Sequence, residues 1–208
     1  IATNGKPAAY RNALPAAAVL YGAGTFSLGK NVSGQLVNQW VTGLFNTAMV
    51  QANWQQPLGK KHKLIANAQY TRQDAIGNGG NDDPVKTYFN RGEQSNVLST
   101  RLGWAYEQWQ VSGNYTRIFS GGRFLMPREW GREPFFTFMQ RERNEGLGNV
   151  QAGLLKITRR IPKFFSTVDV GIGLYNLPDI LDFANNKYGL PSYGQANLLF
   201  NHRFNKAL

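Results

Sequence analysis

The chain has 208 residues, no cysteine, and 23 Lys and Arg against 12 Asp and Glu, a formal net charge of +11. The missing cysteines exclude a disulfide framework and a thiolate metal site, and no run approaches the roughly eighteen consecutive apolar residues of a transmembrane helix. A basic balance fits nucleic acid, an anionic membrane surface or an anion-attracting pore. Only 17% of residues are charged, with 23 glycines and 13% aromatics, which argues for a turn-rich all-β chain over a helical nucleic-acid binder.

Residues 1–44 read as a long loop punctuated by Gly, Ala, Asn and Pro. It holds one short amphipathic helix in GQLVNQWVTGLF, where Val37, Trp40, Val41 and Leu44 recur at helical spacing. From residue 45 the pattern becomes period 2, the mark of strands with one apolar and one polar side. In TAMVQANWQ, Ala48, Val50, Ala52 and Trp54 oppose Thr47, Gln51, Asn53 and Gln55. In HKLIANAQYTRQ, Leu64, Ala66, Ala68 and Tyr70 oppose Asn67, Gln69, Thr71 and Gln73. NVLSTRLGWAYE sets Leu98, Leu102, Trp104 and Tyr106 against Ser99, Arg101 and Gly103, and WQVSGNYTRIF sets Trp109, Val111 and Tyr115 against Ser112, Asn114 and Thr116. NVQAGLLKIT is a weaker strand whose phase Leu154 and Leu155 blur. STVDVGIGLY and GQANLLFNHRF complete seven strands, with Val168, Val170, Ile172 and Leu174, then Ala196, Leu198, Phe200 and Phe204, on their apolar faces.

Between these strands short and long connections alternate, so every long loop falls at one end and every tight turn at the other. Outer-membrane barrels have that arrangement, and a β-sandwich has no reason for it. Trp54, Tyr70, Trp104, Tyr106, Trp109 and Tyr115 lie at or near strand ends on the apolar face, where interfacial girdles belong. The expected fold is therefore an all-β, transmembrane antiparallel barrel in the outer membrane, apolar side to lipid and polar side to water. Seven strands and a turn signal at Asn205-Lys206 read as part of a larger barrel, because such barrels close with an even strand number.

The longest interruption, SGGRFLMPREWGREPFFTFMQRERNEGLG at 120–148, combines five arginines, four glutamates and a run of aromatics. Its length and aromatic content point to a loop that folds inward and selects. This loop and its flanking strands resemble the OprD family of outer-membrane porins, most specifically in GRFLMPREWGREPFFTFMQRERNEG, and are most like its members from Bacteroidetes-like bacteria. The resemblance covers about residues 45–208. It implies a monomeric barrel of about 16–18 strands, narrowed by inward loops, with basic side chains guiding carboxylate-bearing solutes.

A pore for small anions needs fixed positive charge, and arginine supplies it as a planar fork that pairs carboxylates. The pathway residues expected are Arg101 on the polar side of its strand, Arg123, Arg128 and Arg132 in the loop, Arg203 near a turn, and Asp169 as an acidic counterweight. Each loop arginine has a glutamate nearby, so pairing inside the loop competes with solute binding. Arg72 and Arg117 fall on the apolar side near loop ends and reach for headgroups or lipopolysaccharide. Lys60, Lys61, Lys63, Arg159, Arg160 and Lys163 form a basic rim at the short-turn end. The two histidines, His62 and His202, lie beside short turns, far from the rich loops, so the chain is read as a channel and not an enzyme. The expected partners are small anionic or zwitterionic solutes, outer-membrane lipids and lipopolysaccharide, with room for a partner lipoprotein or larger outer-membrane assembly. No cofactor and no nucleic acid is expected. The competing reading is a structural or partner-binding barrel without an open channel.

Overall fold

In the computed structural model, residues 1–10, 13–14, 16–127, 132–140 and 144–204 are described. Among these described residues nine strands follow one another: β1 Val19–Gly29, β2 Val32–Val41, β3 Phe45–Leu58, β4 His62–Ala75, β5 Gln94–Tyr106, β6 Trp109–Ile118, β7 Val150–Ile161, β8 Ser166–Asn176 and β9 Tyr193–His202. Each pairs antiparallel with the next, so sheet order equals chain order and β1 and β9 lie at the edges. No helix among the described residues is long and apolar enough to cross a membrane, a test that does not bear on strands.

Two strands precede the seven expected. The segment read as an amphipathic helix is β2, paired in uninterrupted register with β3 from Val32↔Trp54 to Val41↔Phe45. Its inward side chains include Val37 and Val41, the latter fully buried with Leu44 and Phe45. Outward Leu36 and Trp40 then give the sequence a helix-like spacing although the backbone is extended.

The two faces of the sheet carry opposite chemistry. Outward lie Leu36, Val50, Leu102, Leu155, Ile172 and Leu198, all exposed and in Leu102 and Leu198 more than two-thirds so (70% and 74%). Inward lie Gln69, Thr71, Gln73, Ser99, Asn114 and Thr116, all buried. A water-soluble sheet would bury the first set and expose the second. Outward positions of β4 run from His62 through Leu64 and Tyr70 to Arg72. That span is roughly 34 Å of strand, or about 26 Å along the normal at a tilt near 40°, close to the apolar band of an outer-membrane barrel.

Short connections at one end join β1–β2, β3–β4, β5–β6 and β7–β8, the last through a one-turn 3₁₀ helix at Pro162–Phe164. The opposite end carries the segments 76–93, 119–149 and 177–192 and also residues 1–18. One connection breaks the expected alternation: β2–β3 at this end is only Thr42–Leu44, with Gly43 at φ +72°.

Outward aromatics ring both ends. At the short-turn end His62 stacks on Trp104 and Tyr106, and the Arg159 guanidinium lies over Trp109 at 4.7 Å. At the other end Arg72 bonds Asp74 and Gln94, and Arg117 bonds Asn149 and the Val150 carbonyl. Both arginines point outward, as expected of headgroup-level side chains.

Candidate functional site

The described residues of the segment 119–149 turn back onto the polar side of the sheet. Their contacts run across the strands in order. Gln73 donates to the Leu125 carbonyl (2.8 Å) and accepts from the Leu125 N–H (2.9 Å), so its amide pairs with the loop as another strand would. Gln69 donates to the Pro134 carbonyl at 3.3 Å. On β5 and β6 the Phe136 N–H donates to Ser99 Oγ at 2.9 Å, while Thr137 Oγ1 lies 2.8 Å from Thr116 Oγ1. Tyr175 of β8 donates to the Thr137 carbonyl at 2.9 Å, and Gln195 of β9 reaches the Gln140 carbonyl at 2.7 Å. Under these polar ties lies an apolar core that joins Phe124, Phe135, Met139 and Leu147 of the loop to Val97, Ile118, Val150, Ala152 and Leu154 of the wall.

The loop has its own internal brace. Glu133, 7% exposed, accepts the backbone N–H groups of Asn144 and Glu145 and the Asn144 amide. Three amide donors on one carboxylate stabilise its charge. Glu145 pairs with Lys187 of the next loop at 3.1 Å and accepts from the Tyr188 hydroxyl. Lys187 also faces the rings of Tyr10, Tyr88 and Tyr188 at 5.4–5.7 Å, so three other segments meet its own at this side chain. Burial alone pulls the Lys187 pKa down, but the Glu145 carboxylate and its neighbours outweigh that and raise it above the usual lysine value.

The candidate pathway residues divide by position. Arg101 is inward and half-buried two residues below Ser99, with Nε donating to Asn114 Oδ1 at 2.8 Å and its guanidinium against the Phe136 ring at 4.7 Å. Arg132, exposed, extends from the loop over Phe138 at 5.6 Å and lines two cavities. One of them, of about 590 Å³, lies between the loop and β2–β4 and includes Arg101. The other, of about 510 Å³, lies toward β7–β9 and includes Lys156 and Asp169. Asp169 faces inward as expected, accepts from Thr158, and lies 3.5 Å from Lys156 Nζ.

Arg123 and Arg203 lie elsewhere. Arg123 is 5% exposed and donates to the carbonyls of Ile1 and Phe183, which makes it an anchor between loop and neighbouring segments. Burial lowers its pKa below the usual arginine value, with Glu93 and Glu145 acting against that shift. Arg203 follows β9 at the short-turn end, exposed, its N–H bonded to the Phe165 carbonyl, away from the loop. Arg128 lies outside the described residues, as do Arg141, Arg143, the glutamates Glu129 and Glu142 expected to pair in the loop, Trp130, and the turn expected at Asn205-Lys206.

Lys156 is an inward cation that alternation in the sequence did not reveal. It faces inward with Leu154, and Leu155 points out at 51% exposed, which resolves the blurred phase of β7. Its level on the wall is two residues below Arg101, two strands away, or about 12 Å between backbones from standard strand spacings. The histidines remain at the far end. His202 Nδ1 lies 2.9 Å from Ser166 Oγ, but that hydroxyl donates to the Phe164 carbonyl.

No protein-family model and no curated protein matches the sequence. The fold does match solved outer-membrane porins. Acinetobacter baumannii OccAB4 gives a TM-score of 0.71 at 10% identity, covering 91% of this chain and 44% of that one. A. baumannii OccAB3 gives 0.62 at 15%, covering 88% and 43%. The outer membrane protein OprD from Pseudomonas aeruginosa gives 0.64 at 12%, covering 82% and 43%. This chain therefore spans less than half the length of the structures it matches, and the nine strands have the fold of part of an outer-membrane porin barrel.

Proposed function

We propose that the protein is an outer-membrane channel through which small solutes, carboxylates above all, pass passively along a lumen narrowed by the segment 119–149. The carrying observation is the inversion of the sheet: its exposed face is apolar, and its polar face is covered from inside by a loop that shares a core with the wall. That arrangement makes sense only with lipid outside and water within. The fold shared with OprD and the Occ proteins supports the same reading.

Arg101 and Arg132 guide the anion. Asn114 holds Nε of Arg101 and Phe136 covers the guanidinium, so the fork is fixed in direction before a solute arrives. Lys156 extends the positive wall toward the short-turn end, tempered by Asp169. Arg123 anchors the loop and is not part of this pathway.

The test is conductance of the purified full-length protein in planar bilayers. Channels whose reversal potential in a salt gradient favours anions are expected, with that preference reduced in Arg101→Ala. Protein that inserts without conducting would favour a closed, partner-binding barrel, and unchanged selectivity in Arg101→Ala would remove Arg101 from the path.

A further inference from the structure

The cavity between the loop and β2–β4 combines two kinds of polar group. Gln35, Gln39, Gln51 and Gln69 with Thr47 and Thr71 line it from β2–β4, Arg101 lines it from the adjoining β5, and Arg132 lines it from the loop. The wall amides are linked in a row. Gln69 donates to Gln51 at 2.9 Å, Gln51 to Asn53 at 2.8 Å, and Asn67 to the same Asn53 oxygen. Such linkage fixes which way the Gln51 and Gln69 amides point. The remaining lining includes the rings of Phe135, Phe136 and Tyr21, and the volume of about 590 Å³ is within the usual range of small-molecule sites.

Each amide or hydroxyl of this wall can both donate and accept, which is also the property of a solute hydroxyl. An ammonium group offers donors only and calls for a carboxylate. Among the described residues lining this cavity there is no Asp or Glu. Asp169 belongs to the neighbouring cavity and is engaged by Thr158 and Lys156. A solute with a bare hydrocarbon frame would satisfy the arginines but strip water from the amides without replacing it, a loss that polar sites do not tolerate.

We infer that this cavity takes polyhydroxylated carboxylates, sugar acids as a chemical class, in preference to amino acids or unsubstituted acids. The carboxylate meets Arg101 and Arg132, and the hydroxyls meet the glutamine and threonine wall. The inference rests on the channel reading above and narrows it.

Four probes of similar size separate the contributions: glucuronate, cyclohexanecarboxylate without the hydroxyls, glucose without the charge, and glucosamine with the opposite charge. Each is titrated against the single-channel chloride current of the full-length protein. Glucuronate should interrupt the current at roughly tenfold lower concentration than cyclohexanecarboxylate, the factor that about two net hydrogen bonds supply. Glucose and glucosamine should be weaker than glucuronate by at least as much. Gln35→Leu with Gln51→Leu should erase the advantage of glucuronate over cyclohexanecarboxylate. A normal chloride current with the two acids equal, or with the advantage kept in the double variant, overturns the sugar-acid assignment and leaves the channel intact. No chloride current overturns the channel reading and the assignment with it.

Discussion

Replacing Lys187 by Met tests whether the loop assembly is held as a unit. Lys187 and Glu145 meet at 3.1 Å with side chains 9% and 11% exposed. Methionine keeps the length of the side chain but leaves the Glu145 carboxylate buried without its cation, and removing one partner of a buried pair costs about 3–5 kcal/mol. The Tyr188 hydroxyl still donates to Glu145, which places the variant at the lower end, about 3 kcal/mol. If that energy holds the loops 119–149 and 177–192 together, their opening becomes roughly a hundredfold more frequent. The amides to follow by hydrogen exchange are Gly148, bonded to the Asn185 carbonyl, and Lys187, bonded to that of Gly146. Both should exchange about a hundredfold faster while the β3–β6 amides stay protected. Lys187→Met with Glu145→Leu should recover most of the protection, because it removes the stranded charge. Unchanged exchange in the single variant, or a double variant as loose as the single, refutes the latch. The pH dependence has a defined sign. The folded Lys187 pKa is raised above 10.5, so its contribution is fully present below that value and is lost only as pH rises through the folded pKa. Limited proteolysis of the loops should stay flat from neutral pH to about 10 and rise above it.

Three further variants probe other parts of the structure. Gln73→Leu removes both bonds to Leu125 at a position 0% exposed, and each backbone group left unpaired costs about 1–3 kcal/mol. Single-channel recordings should then show larger and noisier current steps, and identical recordings would mean that the loop is held without it. Leu102→Arg places a charge mid-strand on the outward face and should destabilise the barrel by about 2–4 kcal/mol, read as a lower urea midpoint in lipid. An unchanged midpoint would mean that Leu102 does not face lipid. Gly79 has φ +66°, and a Cβ there would lie 1.5 Å from the Phe89 carbonyl oxygen. Gly79→Ala should therefore disorder the 76–93 loop to proteolysis while leaving strand exchange unaffected.

The strands that could be read from sequence are those whose two faces meet two different solvents. β4, β5 and β8 alternate cleanly because lipid lies on one side and water or polar loop groups on the other. Legibility failed where the loop docks on the wall. Val41 in β2 and Leu154 in β7 are inward and apolar because loop residues pack on them, so period 2 is lost and β2 took on a helical spacing. β1 offers little pattern at all, since Gly22, Ala23 and Gly24 have almost no side chain to alternate. The site was half legible for the same reason. Arg101 follows from alternation alone, and Lys156 does not, because its strand lost phase at the docking surface. The anchors were not legible. Gln73 and Leu125 are 52 residues apart, and nothing local marks them as partners. Arg123 looks like Arg132 in sequence, and only the fold shows that it faces backbone carbonyls.

The central claim is that the polar face of the sheet lines water and the apolar face meets lipid. These 208 residues contain no cysteine, so single cysteines placed among them can be read against the unsubstituted protein. Adjacent positions test the claim most directly: Arg101→Cys against Leu102→Cys on β5, and Asn197→Cys against Leu198→Cys on β9, in intact outer membranes exposed to a small, charged thiol reagent. Modification of Arg101→Cys and Asn197→Cys, with Leu102→Cys and Leu198→Cys protected, is the predicted result. Rapid modification of the leucine positions, with the inward pair protected, would contradict the account.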